Sequence, residues 1–373
     1  MSKQILITGG AGFVGSHLAD GLLAAGHNVR ILDDLTPQVH EGGRRPDYLS
    51  QDVELVVGDV RDPNRLREVL QKVDVVFHFA ATVGVGQSMY EISRYMSVNT
   101  QGTAELLQAM LDAKITPEKL VVASSMSIYG EGRYRKPTTG EEIAPPVRPL
   151  SQLKAGEWEV RSGGEVLEPL PTNETKPSEI NSMYALSKRD QEQMCLIYGR
   201  NYQVPVTALR FFNIYGTRQA LSNPYTGVAA VFASRLLNGK APMVFEDGEQ
   251  MRDFVSVHDI VRANMLAMER PQSNDEVINI GCGTPITIRR VAEILCKALG
   301  REDLAPVISN KYRAGDIRHC FADLTKAEKL LGYKPQVTHE AGFHELAEWL
   351  AKQEAEDKAD TMLKELSSYG LTA

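Results

Sequence analysis

An apolar strand that runs directly into glycines and then into a helix leaves a chain few folds to adopt. Here Gln4–Thr8 is the strand, Gly9-Gly10-Ala11-Gly12-Phe13-Val14-Gly15 the turn, and residues 12–25 read as the helix. Gly10, Gly12 and Gly15 satisfy G-x-G-x-x-G. That spacing permits a tight turn, close approach of backbone to a pyrophosphate, and close helix–strand packing. Free N–H groups and the dipole at the helix start favour an anion. Further apolar strands at residues 28–32, Glu54–Val57, 73–80, 119–123 and 207–210 alternate with helical patterns at 96–114 and 184–201. Such alternation predicts an α/β protein whose doubly wound parallel sheet is covered on both faces, with its ligand beyond the strand carboxyl ends.

Two later segments supply chemistry. Met183-Tyr184-Ala185-Leu186-Ser187-Lys188 sets a phenol and an ammonium four residues apart, hence on one helix face. Ser124-Ser125-Met126-Ser127-Ile128-Tyr129-Gly130 ends an apolar strand with a hydroxyl. A phenol with a pKa of ~10 is a poor base at neutral pH, and a neighbouring cation favours its ionised form. Lys188 is therefore expected to lower the Tyr184 pKa. With Ser125 and a nicotinamide, the pair makes a device for oxidising and reducing an alcohol. Alone, Y-x-x-x-K is a chance pattern; the serine strand and the glycine loop give it meaning.

Composition narrows the alternatives. The 373 residues carry 43% hydrophobic and 24% charged side chains, as in an ordinary globular protein. A net charge of −7 argues against a general nucleic-acid binder. Cys195, Cys282, Cys296 and Cys320 are too scattered for a disulfide framework or a zinc knuckle. Strand one follows Met1-Ser2-Lys3 at once, and no apolar run approaches the ~20 residues of a membrane span. The expectation is a cytoplasmic protein with no membrane partner.

Asp33 ends strand two, 21 residues after Gly12, where a carboxylate suits the ribose hydroxyls of NAD and repels the 2′-phosphate of NADP. Asp34 adjoins it, and Asp59 of Gly58-Asp59-Val60-Arg61 is placed to meet the adenine. Residues 131–180, proline- and glycine-rich, are too long for a simple connection and predict a lid, a subdomain or a mobile loop. The expected organisation is a cofactor domain of residues 1–215, with 131–180 inserted and 255–283 returning to it. A smaller α/β substrate domain would comprise 216–254 and 284–350, and 351–373 a C-terminal helix and tail.

Taken in order, these motifs resemble the extended short-chain dehydrogenase/reductases, and within them the NAD-dependent nucleotide-sugar epimerases and dehydratases. His78-Phe79-Ala80-Ala81, Val98-Asn99-Thr100-Gln101-Gly102-Thr103, Arg210-Phe211-Phe212-Asn213-Ile214-Tyr215-Gly216, Arg252-Asp253-Phe254-Val255-Ser256-Val257-His258-Asp259 and Arg313-Ala314-Gly315-Asp316 carry the likeness. It implies catalysis by Ser125, Tyr184 and Lys188. It implies NAD held by Gly9, Gly12, Phe13, Val14, Asp33, Asp34, Asp59, Val60, Phe79, Ala80, Ala81, Asn99, Ser124, Tyr184 and Lys188. A nucleoside-diphosphate sugar, dTDP- or UDP-linked, would contact Val83, Ser127, Asn213, Arg252, Arg313 and Asp316, the two arginines suiting the diphosphate. A homodimer through the helices around 95–114 and 184–202 is implied in the same way.

Departures from the pattern separate the activities. Dehydratases of this group place an Asp-Glu pair where this chain has Met126-Ser127, so elimination lacks its acid unless Glu141, Glu142 or Glu174 supplies one. Glucuronate decarboxylases usually keep the Glu. The remaining triad suffices for 4-epimerisation by transient oxidation at C4. Residues 87–91, the proline-rich insertion and 219–227 are most similar to 4-epimerases of dTDP-L-rhamnose. UDP-hexose epimerisation of the galactose or glucuronate type, 4-ketosugar reduction, dehydration and a non-catalytic sugar-nucleotide sensor are the rival readings. Where some relatives carry cysteine pairs in the insertion, this chain has Thr138-Thr139-Gly140 and Arg161-Ser162-Gly163-Gly164, which predicts no metal.

Overall fold

The computed structural model describes residues 1–145, 147–223, 225, 227–313, 316–353 and 356–372. Pro146 of the insertion, Pro224 and Thr226 of the 219–227 segment, and Ala314 and Gly315 of the Arg313–Asp316 motif lie outside the described residues.

Seven strands form one parallel sheet: β1 Gln4–Thr8, β2 Asn28–Asp33, β3 Glu54–Val57, β4 Val75–His78, β5 Lys119–Ser125, β6 Val206–Phe211 and β7 Glu276–Ile280. Their order across the sheet is β7-β6-β5-β4-β1-β2-β3, so the order in which strands are added reverses between β1 and β4 while all run parallel. A crevice opens there, beyond the strand ends. Successive residues of β1 point to opposite faces, as the two-residue period requires. Ile5 and Ile7 enter a core with Leu18, Phe77, Ile260 and Ala263, whereas Leu6 enters another with Val76, Leu106, Cys195 and Val206. Both faces are therefore dry, which explains why the strands lack polar alternation.

One predicted helix differs in detail. Residues 96–114 begin with a π-helical turn, Met96–Gln101, before the α-helix Gly102–Asp112. The widened turn buries Asn99, whose side chain bonds Thr82 N at 2.7 Å, Thr82 O at 3.1 Å and Ser187 Oγ at 2.9 Å. Asn99 thus ties the loop after β4 to the tyrosine helix Met183–Tyr202.

After β6 the chain builds a second lobe. Strands Asn213–Tyr215, Met251–Ser256 and Pro285–Thr287 form a mixed sheet, joined by His319–Cys320. Helices Val228–Leu237, Ile288–Ala298 and His339–Leu350 cover it around Phe232, Leu295 and Phe343. The helix Val257–Glu269 returns to the first lobe and packs Ile260, Ala263 and Ala267 against Leu18 and Leu22. Among the described residues no helix is long and apolar enough to cross a membrane.

The 131–180 insertion is a small folded unit. Arg133–Arg135 lies between Glu168–Leu170 and Glu142–Ile143 in an antiparallel sheet, over Tyr134, Val160 and Leu167. The turns at 138–140 and 161–164 lie side by side, and Glu165 accepts from Thr138 N at 2.9 Å and Oγ1 at 3.1 Å. An ionic cluster locks this unit to the second lobe. Arg318, with no exposed side-chain surface, pairs with Glu159 at 2.6 Å, Glu246 at 2.9 Å and Asp247 at 2.7 Å. Arg148 reaches Glu246 at 2.9 Å, and Glu131 accepts from the backbone N–H groups of Arg318 and His319. Glu159 is held at about 2: burial raises it, but its bonds with His319 and Arg318 outweigh that.

Removing the buried Arg318 guanidinium leaves Asp247 without its cation and the buried Glu246 with Arg148 alone, and breaking a buried pair from one side is strongly destabilising. Arg318→Met should lower the unfolding free energy by about 3–5 kcal/mol. Urea denaturation checks this; a loss under about 1 kcal/mol would show that water or rearrangement replaces the guanidinium.

Candidate active site

A cleft of about 880 Å³ runs across the carboxyl ends of the strands. At its centre the strand–glycine turn–helix unit leaves room for a pyrophosphate. Gly9 adopts φ +70°, and a Cβ there would lie 2.7 Å from Ala80 N; one on Gly15 would lie 2.5 Å from Gly10 Cα. At Gly12 the added carbon would meet only Gly9 O, at 3.4 Å, so that side of the turn stays open. No side chain caps the helix Phe13–Ala24, which leaves its first turn available to an anion.

Beyond it, Asp33 accepts hydrogen bonds from Ala11 N at 3.0 Å and Leu35 N at 2.9 Å. Burial nevertheless pushes its pKa up, opposed by Leu35 N–H and by His40, whose Nε2 lies 3.6 Å away. Asp34 accepts from Thr36 N, and Asp59 is paired with Arg61 at 2.5 Å. Gly9, Gly12, Phe13, Val14, Asp33, Asp34, Asp59, Val60, Phe79, Ala80, Ala81 and Ser124 all line the cleft. Asn99 does not; its amide is consumed by Thr82 and Ser187. Among the described residues, three buried polar atoms on the cleft lack a hydrogen-bond partner: His40 Nδ1, Asn213 Oδ1 and Gln219 Oε1. Such atoms fit a polar ligand such as a dinucleotide joined to a nucleotide sugar.

The reacting end lies where β5 meets the tyrosine helix. Ser182 caps that helix, accepting from Ala185 N at 3.1 Å. Tyr184 and Lys188 then share its buried face. Ser125 Oγ accepts from Ser127 N at 3.1 Å and Ser127 Oγ at 2.9 Å and lies in the cleft with Tyr184. Lys188 Nζ donates to Ala123 O at 2.9 Å.

The electrostatics correct one expectation. Burial pushes the Tyr184 phenol up to about 12, with Ser125 pulling it partly back, and burial pushes Lys188 down to about 7. Desolvation outweighs the expected help from the lysine, which is itself only partly charged at neutral pH.

Under this surface lies a buried ion pair. Arg210 of β6 grips Glu192 of the tyrosine helix, Nε to Oε2 at 2.9 Å and Nη2 to Oε1 at 2.7 Å. Ser124 donates to the same Glu192 at 2.6 Å, and Arg210 also donates to Tyr129 Oη, which donates to Asn279 of β7. Nothing about Glu192 in the sequence marked it; it lies one turn beyond Lys188 on a helix whose pairing with β6 is tertiary.

Of the residues expected at the substrate, Val83, Ser127 and Asn213 line the cleft; Arg252, Arg313 and Asp316 do not. The Arg252 guanidinium donates to the carbonyls of Met251, Arg318 and Ile317 and lies 3.6 Å from Asp316. Arg313 stacks over the Phe245 ring at 4.6 Å. Glu141 and Glu142 are turned away, paired with Lys136 and Arg133, and Glu174 accepts from Asn279 N. Gln38, His40, Arg94 and Tyr225 line the cleft without having been expected. Gln38, His40 and Tyr225 come from loops and Arg94 from the four-residue helix Ile92–Tyr95, all too short or irregular to carry a periodic signal; only the 219–227 likeness pointed at Tyr225.

Residues 5–165 and 162–281 match the model of the NAD dependent epimerase/dehydratase family. The chain belongs to that family. It is accordingly an NAD-dependent enzyme, with the Rossmann-type fold of its solved neighbours. A dTDP-L-rhamnose 4-epimerase of Burkholderia thailandensis is 34% identical over 353 residues, 94% of this chain and 96% of that protein. The UDP-glucose 4-epimerase of Thermotoga maritima, solved with UDP-glucose, superposes with a TM-score of 0.76 at 31% identity, over 94% of this chain and 99% of that one. A UDP-glucuronic acid 4-epimerase from Bacillus cereus, solved with UDP-glucuronic acid and NAD, gives 0.75 at 27% identity, over 94% and 99%.

Because Asp33 stands on the cleft wall where ribose hydroxyls are expected, NAD should bind at least ten times more tightly than NADP, by about 1.4 kcal/mol or more. Fluorescence titration with both cofactors checks this, and Asp33→Ser should narrow the gap.

Proposed function

We propose that this enzyme is a nucleoside-diphosphate-sugar 4-epimerase that works through Ser125, Tyr184 and Lys188. The observation that carries this is the make-up of the reacting end. Ser125, Tyr184 and Lys188 meet there beside Met126 and Ser127, while the acids among the described cleft residues, Asp33, Asp34 and Asp59, stand at the ends of β2 and β3. Proton transfer to and from a hydroxyl is provided for; assisted departure of a hydroxyl is not.

Tyr184 Oη takes the proton of the sugar 4-hydroxyl and later returns it. Ser125, beside Tyr184 in the cleft and braced by Ser127, orients that oxygen. Lys188, fixed by the Ala123 carbonyl, stands one helical turn away and shares the buried face. Bound NAD supplies the hydride acceptor and donor, and in its oxidised form a cationic ring that favours the phenolate. Gly9, Gly12, Phe13, Val14, Asp33 and Asp59 would hold it. For inversion the sugar must turn between the two transfers, so the nucleotide is gripped and the hexose is not. Asn213, with its orphan acceptor, is placed to grip it. Arg252 and Arg313 would join only by leaving the carbonyls and the ring they now contact.

A dTDP-linked 6-deoxyhexose such as dTDP-L-rhamnose is the substrate we favour. The Burkholderia relative supports it, as do the apolar cleft residues Val83, Val228 and Phe254, which suit a methyl group. A uronate would call for a cation, and Arg61 and Arg94 of the cleft are engaged by Asp59 and Glu91. Exposed Leu111, Ile197 and Tyr202 on the helices Gly102–Asp112 and Met183–Tyr202 support self-association as a homodimer.

Two outcomes test the reading. Tyr184→Phe should cut turnover by about 10²–10⁴-fold while nucleotide binding persists, and Ser125→Ala should cost less. Near-normal turnover in Tyr184→Phe would falsify the assignment. A substrate deuterated at C4 should keep its label at C4, with no solvent deuterium at C5 and no net NADH. Label at C6, release of carbon dioxide or consumption of external NADH would identify a dehydratase, a decarboxylase or a reductase instead.

A further inference from the structure

The C-terminal helix Ala359–Ser368 does more than cover the body. Ala359, Met362 and Leu366 are buried, and Leu366 lies so close to Gly86 that a Cβ there would approach its side chain to 3.2 Å. From the same helix, Glu365 Oε2 accepts from Tyr225 Oη at 2.6 Å and from Tyr90 Oη at 3.1 Å; the two phenol oxygens are 2.5 Å apart. Just past the helix, Tyr369 stacks on Tyr90 with centroids 4.7 Å apart and planes 4° from parallel. Burial pushes the Tyr90 phenol up to about 12 and raises that of Tyr225 as well, so at neutral pH both are protonated donors facing a carboxylate.

Tyr225 lines the cleft. Its backbone N–H donates to Asn223 Oδ1 at 3.1 Å, which also accepts from Gln38 Nε2 at 3.2 Å, another cleft residue, from the loop after β2. On its other side is Gly84, at φ +143°, where an added Cβ would sit 2.8 Å from Tyr225 Cβ. A phenol that forms part of the cleft wall is thus held by backbone on one side and by the C-terminal helix at its hydroxyl.

We propose that Glu365 is a positioning residue for the sugar-nucleotide end of the cleft: through the hydroxyls of Tyr225 and Tyr90 its carboxylate fixes one wall of the site. The C-terminal helix then sets substrate affinity without touching the reacting atoms. The ligand's identity rests on the epimerase reading; the clasp itself rests on the contacts above.

The test uses the full-length, NAD-loaded protein and Glu365→Ala, Glu365→Gln and Tyr225→Phe. Calorimetric titration with dTDP should show about tenfold weaker binding for Glu365→Ala and for Tyr225→Phe, as expected for loss of one charge-assisted hydrogen bond. Glu365→Gln, whose amide oxygen still accepts, should recover most of it. NAD affinity and melting temperature should stay at wild-type values, and with a turned-over sugar nucleotide KM should rise more than kcat falls. Hydrogen exchange in 83–90 and 219–227 should quicken in Glu365→Ala. Unchanged dTDP affinity, or an equal loss of NAD affinity, would overturn the proposal. If the wild type bound neither dTDP nor UDP, the substrate reading would fail. The exchange comparison would still decide the clasp, unchanged exchange overturning it and faster exchange confined to those segments supporting it.

Discussion

The geometry of the reacting end depends on a carboxylate and a guanidinium that never reach the substrate. Glu192 and Arg210 meet in two hydrogen bonds beneath it, with Ser124, Tyr129 and Asn279 satisfying what remains. Buried pairs of this kind contribute little net stability, yet breaking one leaves an uncompensated charge. Its consequence is positional. Glu192 belongs to the tyrosine helix, Ser124 to β5, Arg210 to β6 and Asn279 to β7, so one network fixes the helix against three strands. Tyr184 and Lys188 keep their place relative to Ser125 because their helix cannot slide without separating those charges. A carboxylate also meets a cation where the insertion joins the second lobe, through Arg318, and there too the pairing decides where a segment sits.

The two ends of the cleft are electrostatically different because the sheet sorts them. Asp33, Asp34 and Asp59 follow β2 and β3 at one edge, and the triad lies by β5 toward the other. At the reacting end burial favours neutral forms, a phenol and a partly deprotonated amine, so charge there must arrive with the ligands. A buried site of low polarity strengthens each interaction that a bound cation makes. Spacing alone misleads here: residues i and i+4 do share a face, but whether that face is wet or dry determines which way the pKa values move.

Closure of the cleft comes from distant parts of the chain. Gln38 after β2, Tyr90 and Arg94 after β4, Asn223 and Tyr225 in the second lobe and Glu365 near the C-terminus form one connected polar network. Both lobes and the terminal helix thereby bear on the same opening. Arg252, expected at the diphosphate, is in contrast withheld from the cleft, its guanidinium occupied by three backbone carbonyls.

Much of this was legible in the residues. Apolar runs of strand length separated by helical periods dictated a parallel sheet dry on both faces, since hydrophobic burial is a property of pattern. Gly12, Gly15, Asp33, Ser125, Tyr184 and Lys188 were legible as cleft residues because their positions depend on local geometry: a turn, a helix start, a strand end, one helix face. Asn99 was recognised as a motif but its task was not, because a π-helical turn decides where its amide points. Only tertiary structure made the insertion a folded unit, paired Glu192 with Arg210, turned Arg252 from the cleft and brought Glu365 to Tyr225. Those outcomes join residues tens to hundreds of positions apart, and a long-range contact between charges or phenols leaves no period, spacing or composition by which a linear sequence could announce it.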